Sequence, residues 1–270
     1  MSSVRLLRAC VAVAAIGALA IPASAAAKPV ITISGSTSVA PLASLLARGY
    51  LKESKNAVKF KLAQGGSDVG VADVAAGRVS IGMSSRDPKS SDPRGIFFNK
   101  IAKDAICIVT NPSNPVANLS QAQIKAIFGG SVRDWRDVAG SGITGAIDVT
   151  VRTAASGTQD AFQKIFLGST SLTGAVSQKA SNGLIQQAVK SNRNAIGYVS
   201  LDFVGGVNPA SYNGVACNLR NAKSGEYGGV RNFWLVTRGP AKGNISQFIK
   251  WAQDSSAAAK ITGKHWVPLK

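Results

Sequence analysis

Strand and helix signals alternate along this chain, and that alternation constrains the fold more than any other feature. Short runs rich in Val, Ile and Phe read as strands at 30–34, 58–62, 79–83, 104–110, 147–152, 195–200 and 232–237. Between them, apolar residues at helical spacing mark helices at 38–53, 67–77, 120–128 and 181–191, one opening at Ser156, and one from 244 onward. Ser120 stands where an N-cap belongs. Such alternation predicts parallel strands covered by helices. The elements are too many for one small sheet, so two α/β lobes with a cleft between them are expected. Open sheets of this kind bind ligands beyond the carboxyl ends of their strands.

Three strand-to-helix junctions share one chemistry. They are Ser34-Gly-Ser-Thr-Ser38, Gly65-Gly-Ser-Asp68 and Ser156-Gly-Thr158. Each offers hydroxyls, backbone N–H groups and a glycine that lets the backbone approach closely. A helix start carries unpaired donors and a partial positive charge. If the three starts converge, they form a metal-free site for a small oxyanion. Arg152, four residues ahead of Ser156, would add a planar fork of donors and a full charge. Taken singly, each loop also reads as an ordinary helix cap.

Residues 1–27 have the form of a secretory signal peptide. Arg5 and Arg8 precede the apolar run Ala9–Ala23, and small residues around Ala25 and Ala27 suit cleavage. Cys10 lies too early to serve as a lipid-attachment cysteine. Export is therefore expected. The whole chain has 31 Lys+Arg against 13 Asp+Glu, and the leader holds two of the former and none of the latter, so about +16 of the formal +18 remains. That field attracts anions. The basic residues are scattered, without a basic run, zinc-finger spacing or aromatic interleaving, which excludes a specific nucleic-acid binder. After the leader, two cysteines remain, Cys107 and Cys217. Export permits a disulfide between them, and two buried thiols are the other reading.

At these motifs the chain resembles the periplasmic phosphate-binding proteins of ABC-type phosphate transporters, from about Val30 to Lys264. The resemblance is carried by Gly35-Ser-Thr-Ser-Val-Ala-Pro41, Gly65-Gly-Ser67, Ile81-Gly-Met-Ser-Ser-Arg86 and Arg152-Thr-Ala-Ala-Ser-Gly-Thr158. Ser181-Asn-Gly183, Ala195-Ile-Gly-Tyr-Val199 and Phe233-Trp-Leu-Val-Thr237 add to it. It implies a type II two-lobed clamp, each lobe a mainly parallel sheet with helices on both faces. Two crossovers would lie near 105–110 and 229–237. Lobe I would comprise 28–107 plus 230–270, and lobe II 108–229. Thr37, Ser38, Ser67, Arg152, Ser156, Gly157 and Thr158 would contact phosphate, with Ser36, Asp68, Ser85 and Arg86 as further candidates. The resemblance implies a periplasmic monomer without cofactor or metal, whose partner is an inner-membrane ABC permease.

Departures from that pattern raise questions. Many members place an aspartate at Ser85, where it accepts the ligand's proton and so excludes sulfate. Asp68 or Asp87 is the candidate replacement acceptor. Asp68 also reads as a first-turn acid stabilising its own helix, and Arg86 reads either as a ligand contact or as a lobe-edge salt bridge. Members often hold the arginine with an acid two residues on, but Ala154 stands there, leaving Asp160 or another loop's carboxylate for that work. Sulfate, molybdate and tungstate are the alternative oxyanions, with the motif order favouring phosphate, and a secreted phosphate binder uncoupled from transport would present the same site. A secreted hydrolase would have to use His265, the one histidine, in a tail far from the serine loops. Trp234, Trp251 and Trp266 are expected to pack a lobe.

Overall fold

One long strand organises the molecule. The computed structural model describes residues 27–270, so the expected signal peptide lies, but for residue 27, outside the described residues. The chain runs β1 (Val30–Gly35), α1 (Ala40–Glu53), β2 (Lys59–Leu62), α2 (Ser67–Ala75), β3 (Ile81–Ser84) and β4 (Ile96–Thr110). It continues with β5 (Asn118–Leu119), α3 (Gln121–Gly129), β6 (Asp148–Arg152), α4 (Gly157–Phe162), β7 (Ser177–Lys179) and α5 (Asn182–Ser191). Then come β8 (Ala195–Ser200), β9 (Asn208–Pro209), β10 (Ser211–Tyr212), α6 (Leu219–Ser224), β11 (Val230–Arg238), α7 (Gly243–Asp254) and α8 (Ser256–Thr262). The first half of β4 pairs with β11, and its second half, from Ile106, pairs with β8. It therefore belongs to two sheets.

The first sheet has the order β2-β1-β3-β11-β4 and the second β4-β8-β6-β7. Strands β1, β2 and β3 are mutually parallel, as are β6, β7 and β8. The two linking strands, β4 and β11, run antiparallel to their neighbours. Each sheet is thus mixed, with the parallel strands leading into the donor-rich loops. In β11, Phe233 and Leu235 join the core that holds α1 and α7, whereas Trp234 and Val236 pack with Val71 and Val74 of α2. The period-2 alternation of a strand thereby places helices on both faces of the first sheet. A separate core, running from Ala105 to Tyr227, fills the second lobe.

Local sequence accounts for most elements. Leu42, Leu46 and Tyr50 recur every fourth residue, giving α1 a buried stripe. Ser120 and Gln123 cap each other's backbone at the start of α3, and Gly130 closes that helix at φ 84°. Strand β4 begins eight residues earlier than its apolar run indicates. Asn99, Lys100 and Lys103 dilute the apolar signal there, and pairing with β11 supplies the strand. The tryptophans pack as expected: Trp266 is buried with α1, and Trp251 sits edge-on to Tyr50.

The two lobes are joined where β4 and the approach to β11 lie side by side. Ile106 N–H donates to Gly229 O at 2.8 Å, and the Tyr227 hydroxyl donates to Ile106 O at 2.7 Å. Beside this point Arg231 and Asp104 form a buried ion pair at 2.8 Å. The structure also joins Cys107 to Cys217, with Cα atoms 5.6 Å apart, tying the end of the link to the second lobe's far segment.

Candidate functional site

The site forms where β1, β2, β3, β6 and β7 deliver their following loops to one place. At the end of β1, Gly35 has φ +129°, and a Cβ there would fall 2.4 Å from Met83 O. Only glycine permits that approach. The next residue, Ser36, accepts the N–H groups of Ser38 and Val39 at 3.2 and 3.4 Å, capping the entry to α1. Its own hydroxyl donates to Ser85 Oγ at 2.9 Å. Ser67, the first residue of α2, accepts Ser85 N–H at 3.0 Å, with the Ser85 hydroxyl 3.3 Å from its own. Ser36, Ser67 and Ser85 are therefore a connected hydroxyl cluster, all buried.

The second lobe presents a matching jaw. Ser156 caps α4 by accepting the N–H groups of Thr158 and Gln159 at 3.1 and 3.3 Å. Gly157 lies so close to the other lobe that a Cβ would fall 2.3 Å from Ser67 Oγ. Thr158 Oγ1 stands 2.9 Å from Ser38 Oγ. The structure thus brings Ser36, Thr37, Ser38, Ser67, Ser85, Ser156, Gly157 and Thr158 together. Asn182 was not among the sequence candidates. Its amide donates to Ser38 Oγ at 2.8 Å and Thr37 Oγ1 at 3.2 Å, while its Oδ1 accepts Ser200 N–H at 3.1 Å. Ser181-Asn182-Gly183 is a fourth strand-to-helix junction. The motif and its helix are readable in the sequence, but not its place beside the other jaw loops, because the strand before it, β7, has three residues.

Arg152 ends β6 and is 2% exposed. Its Nε donates to Lys179 O at 3.2 Å and its Nη2 to Ala180 O at 2.8 Å, while Nη1 lies 3.5 Å from Thr158 Oγ1. No carboxylate among the described residues pairs with it. The expectation that Asp160 holds Arg152 is corrected: Asp160 binds Lys89 at 2.8 Å and Lys164 at 3.1 Å. Backbone carbonyls hold the guanidinium instead, and its backbone N–H is fixed by the Tyr198 hydroxyl at 2.9 Å. Burial pulls its pKa down to about 10, with the charge of Arg231 acting in the same direction and Tyr198 opposing. A buried cation that lacks a counter-ion is a receptor for an anion.

Arg86 and Asp68 are paired with each other, and Arg86 also with Asp92. Arg86 Nε bonds Asp68 Oδ1 at 2.6 Å, and its Nη atoms bond both oxygens of Asp92, at 2.9 and 2.6 Å. Burial alone would lower the Arg86 pKa, but these two carboxylates raise it overall. Asp87 accepts from Asn232 and Trp234 at 2.9 and 3.1 Å. Asp68 and Asp87 are each engaged through Oδ1, and neither carboxylate hydrogen-bonds a jaw hydroxyl among the described residues. His265 pairs with Asp202 at 3.2 Å and is 55% exposed at its side chain, with no loop serine beside it.

A family model described as the PBP superfamily domain matches residues 21–256, most of the chain. The chain belongs to the PBP superfamily. A solved structure from Clostridium perfringens, designated a phosphate ABC transporter substrate-binding protein and holding phosphate, is 32% identical and superposes with a TM-score of 0.83 over 89% of this chain and 100% of its own. An ABC-type phosphate transport receptor from Vibrio cholerae is 26% identical with a TM-score of 0.69, covering 88% of this chain and 99% of its own. The phosphate-binding protein PstS of Bacillus subtilis is 25% identical over 245 residues, 88% of this chain and 80% of the relative. Within the superfamily the likeness is to extracytoplasmic substrate-binding proteins, and the two-lobed clamp is their fold. No helix among the described residues is long and apolar enough to cross a membrane.

Proposed function

We propose that this protein captures inorganic phosphate between its lobes and delivers it to an ABC permease in the membrane. The observation that carries this is Arg152, a buried cation with no carboxylate partner, faced by hydroxyls of both lobes. Thr37, Ser38, Ser67, Arg152, Ser156, Gly157 and Thr158 form the ligand shell, with Asn182 joining the jaws. Lobe I spans 28–107 and 230–270, lobe II spans 108–229, and the paired segments at Ile106 and Gly229 act as the hinge. Phosphate contacts both jaws only when they are shut, so it draws the lobes together. On this reading the protein works as a monomer in the periplasm after loss of its leader, as a binder of its ligand.

The engaged state of Asp68 and Asp87 favours a second reading of selectivity. Hydroxyls donate or accept as needed, so Ser36, Ser67 and Ser85 accommodate a protonated or a fully ionised ligand oxygen. Sulfate is then a competitor rather than an excluded ion. Calorimetric titration of phosphate into ligand-stripped protein, with and without excess sulfate, tests both. One-to-one phosphate binding weakened by sulfate is expected. Binding indifferent to sulfate would overturn the selectivity reading, and no binding of phosphate would overturn the function.

A further inference from the structure

One contact across the jaws differs in kind from the rest. Ser38 meets Thr158, Asn182 meets Thr37 and Ser38, and Asp68 N–H meets Ala155 O, all through uncharged groups. Lys89 Nζ meets Asp160 Oδ1 at 2.8 Å as an ion pair. Lys89 lies in the loop between β3 and β4, and Asp160 lies in α4, so the pair joins a loop of the first sheet to a helix of the second lobe. It continues the seam that Gly157 begins. A Cβ on Gly157 would fall 2.8 Å from Arg86 N, and Lys89 and Asp160 each stand three residues further along those two segments.

Each partner is fixed from its own side. Lys89 N–H donates to Asp92 Oδ2 at 2.8 Å, and Asp92 N–H donates to Lys89 O at 3.0 Å. Asp92 is itself held by Arg86 at 2.6 Å. Asp160 N–H donates at 3.1 Å to the carbonyl of Ser156, the residue that caps α4. Asp160 Oδ2 lies 3.1 Å from Lys164 Nζ, one turn further on. The Lys164 pair lies within one segment and survives opening of the lobes. The Lys89 pair does not, because its two ends belong to different lobes. The Lys89 and Asp160 side chains are 30% and 15% exposed, so water screens their attraction less than it screens a fully exposed pair.

We infer that Lys89 and Asp160 form a latch on the shut clamp, a pair of positioning residues outside the ligand shell that slows release of bound ligand. They act through α4, whose first turn carries Gly157 and Thr158. The pair forms only when the lobes meet, so its free energy adds to the closed state and is read in the dissociation rate. This inference rests on the phosphate reading of the clamp.

The test is release of radiolabelled inorganic phosphate from the mature protein, chased with excess unlabelled phosphate. Lys89→Met and Asp160→Asn should each speed release by about two- to fivefold, the scale of a partly exposed ion pair. Asp160→Asn supplies the deciding sign. It removes a negative charge beside an anion site, so the electrostatic field alone would slow release, whereas loss of the latch speeds it. The double variant should release phosphate no faster than the faster single variant, because the second change finds no pair to break. Lys89→Arg keeps the charge and should stay within about twofold of the parent. Unchanged or slower release from Asp160→Asn, a double variant in which the two effects multiply, or release from Lys89→Arg as fast as from Lys89→Met overturns the latch while the phosphate reading stands. If inorganic phosphate does not bind the parent protein, both fall together.

Discussion

Ser38 and Thr158 meet hydroxyl to hydroxyl at 2.9 Å although 120 residues separate them. One ends the first loop of lobe I, and the other opens a helix of lobe II. Asn182 strengthens the same seam by donating to Ser38 and Thr37, and Asp68 N–H reaches Ala155 O at 3.1 Å. These bonds require closed lobes, so under the proposed function closure and ligand affinity are one equilibrium. Asn182→Ala removes two of them, each with a net worth of about 1 kcal/mol. Phosphate affinity should fall by about tenfold or more in a calorimetric titration, and scattering profiles of the ligand-free variant should show a more open molecule. It should also lose about 1–3 kcal/mol of stability, since Ser200 N–H is left without its acceptor.

Arg152 carries the charge of the site. Arg152→Met should weaken phosphate binding by at least about 100-fold, since each hydrogen bond to a charged group is worth about 1.5–3 kcal/mol. The ligand-free variant should be no less stable in urea, because it no longer buries a cation without a counter-ion. The pH dependence has a defined sign. Burial lowers the folded-state pKa to about 10. The cost of keeping the group charged is therefore fully present below that pH and relieved as pH rises through it toward the unfolded value. The anion attraction disappears over the same interval, so titrations between pH 8 and 11 should show affinity falling as pH passes 10.

Gly157 is required by the opposing jaw. A methyl group there would lie 2.3 Å from Ser67 Oγ and 2.8 Å from Arg86 N. Both are atoms of the other lobe, so Gly157→Ala should hold the clamp ajar without disturbing either core. Phosphate affinity should drop by about tenfold or more, as for any loss of the binding-competent population. The thermal midpoint without ligand should stay close to that of the parent.

Asp68 is paired with Arg86 at 2.6 Å. Asp68→Asn should leave the phosphate-to-sulfate preference unchanged in competition titrations. Its effect should be confined to stability, at about 1 kcal/mol or less, because the Asp68 side chain is 41% exposed and Asp92 still holds the guanidinium. Ser85→Ala should instead alter that preference, since it removes the hydroxyl that links Ser36 and Ser67.

The bond between Cys107 and Cys217 closes a loop of 110 residues. Loop-closure entropy for that length is worth roughly 4–5 kcal/mol in the chain-entropy account. Reduction with dithiothreitol, or the double Cys→Ala variant, should lower the urea midpoint of unfolding substantially. Phosphate affinity measured well below that midpoint should change little, because neither cysteine belongs to the jaws.

Much of this protein was legible as sequence because its information is local. Strands β1, β3, β6 and β8 carry short stretches rich in apolar residues, and Ser120, Ser156 and Ser181 act as the caps their positions indicate. The glycines and hydroxyls of the jaw loops were readable for the same reason, since helix-start chemistry lies within a few residues. Strands of two or three residues, the early half of β4, and the part played by Asn182 were not readable. Each depends on a partner far along the chain, as when Asn182 meets Thr37 across 145 residues.

The sequence alone determined the alternating α/β order, the donor-rich loops and the placement of an arginine before one of them, because periodicity and capping are properties of neighbouring residues. Only the tertiary structure decided which charges are spent and which are free. Arg86 and Arg152 are both arginines near serine-rich loops, yet folding brings Asp68 and Asp92 onto Arg86 and only carbonyls and a hydroxyl onto Arg152. Coulomb attraction acts through space, and distance in space is what the fold sets.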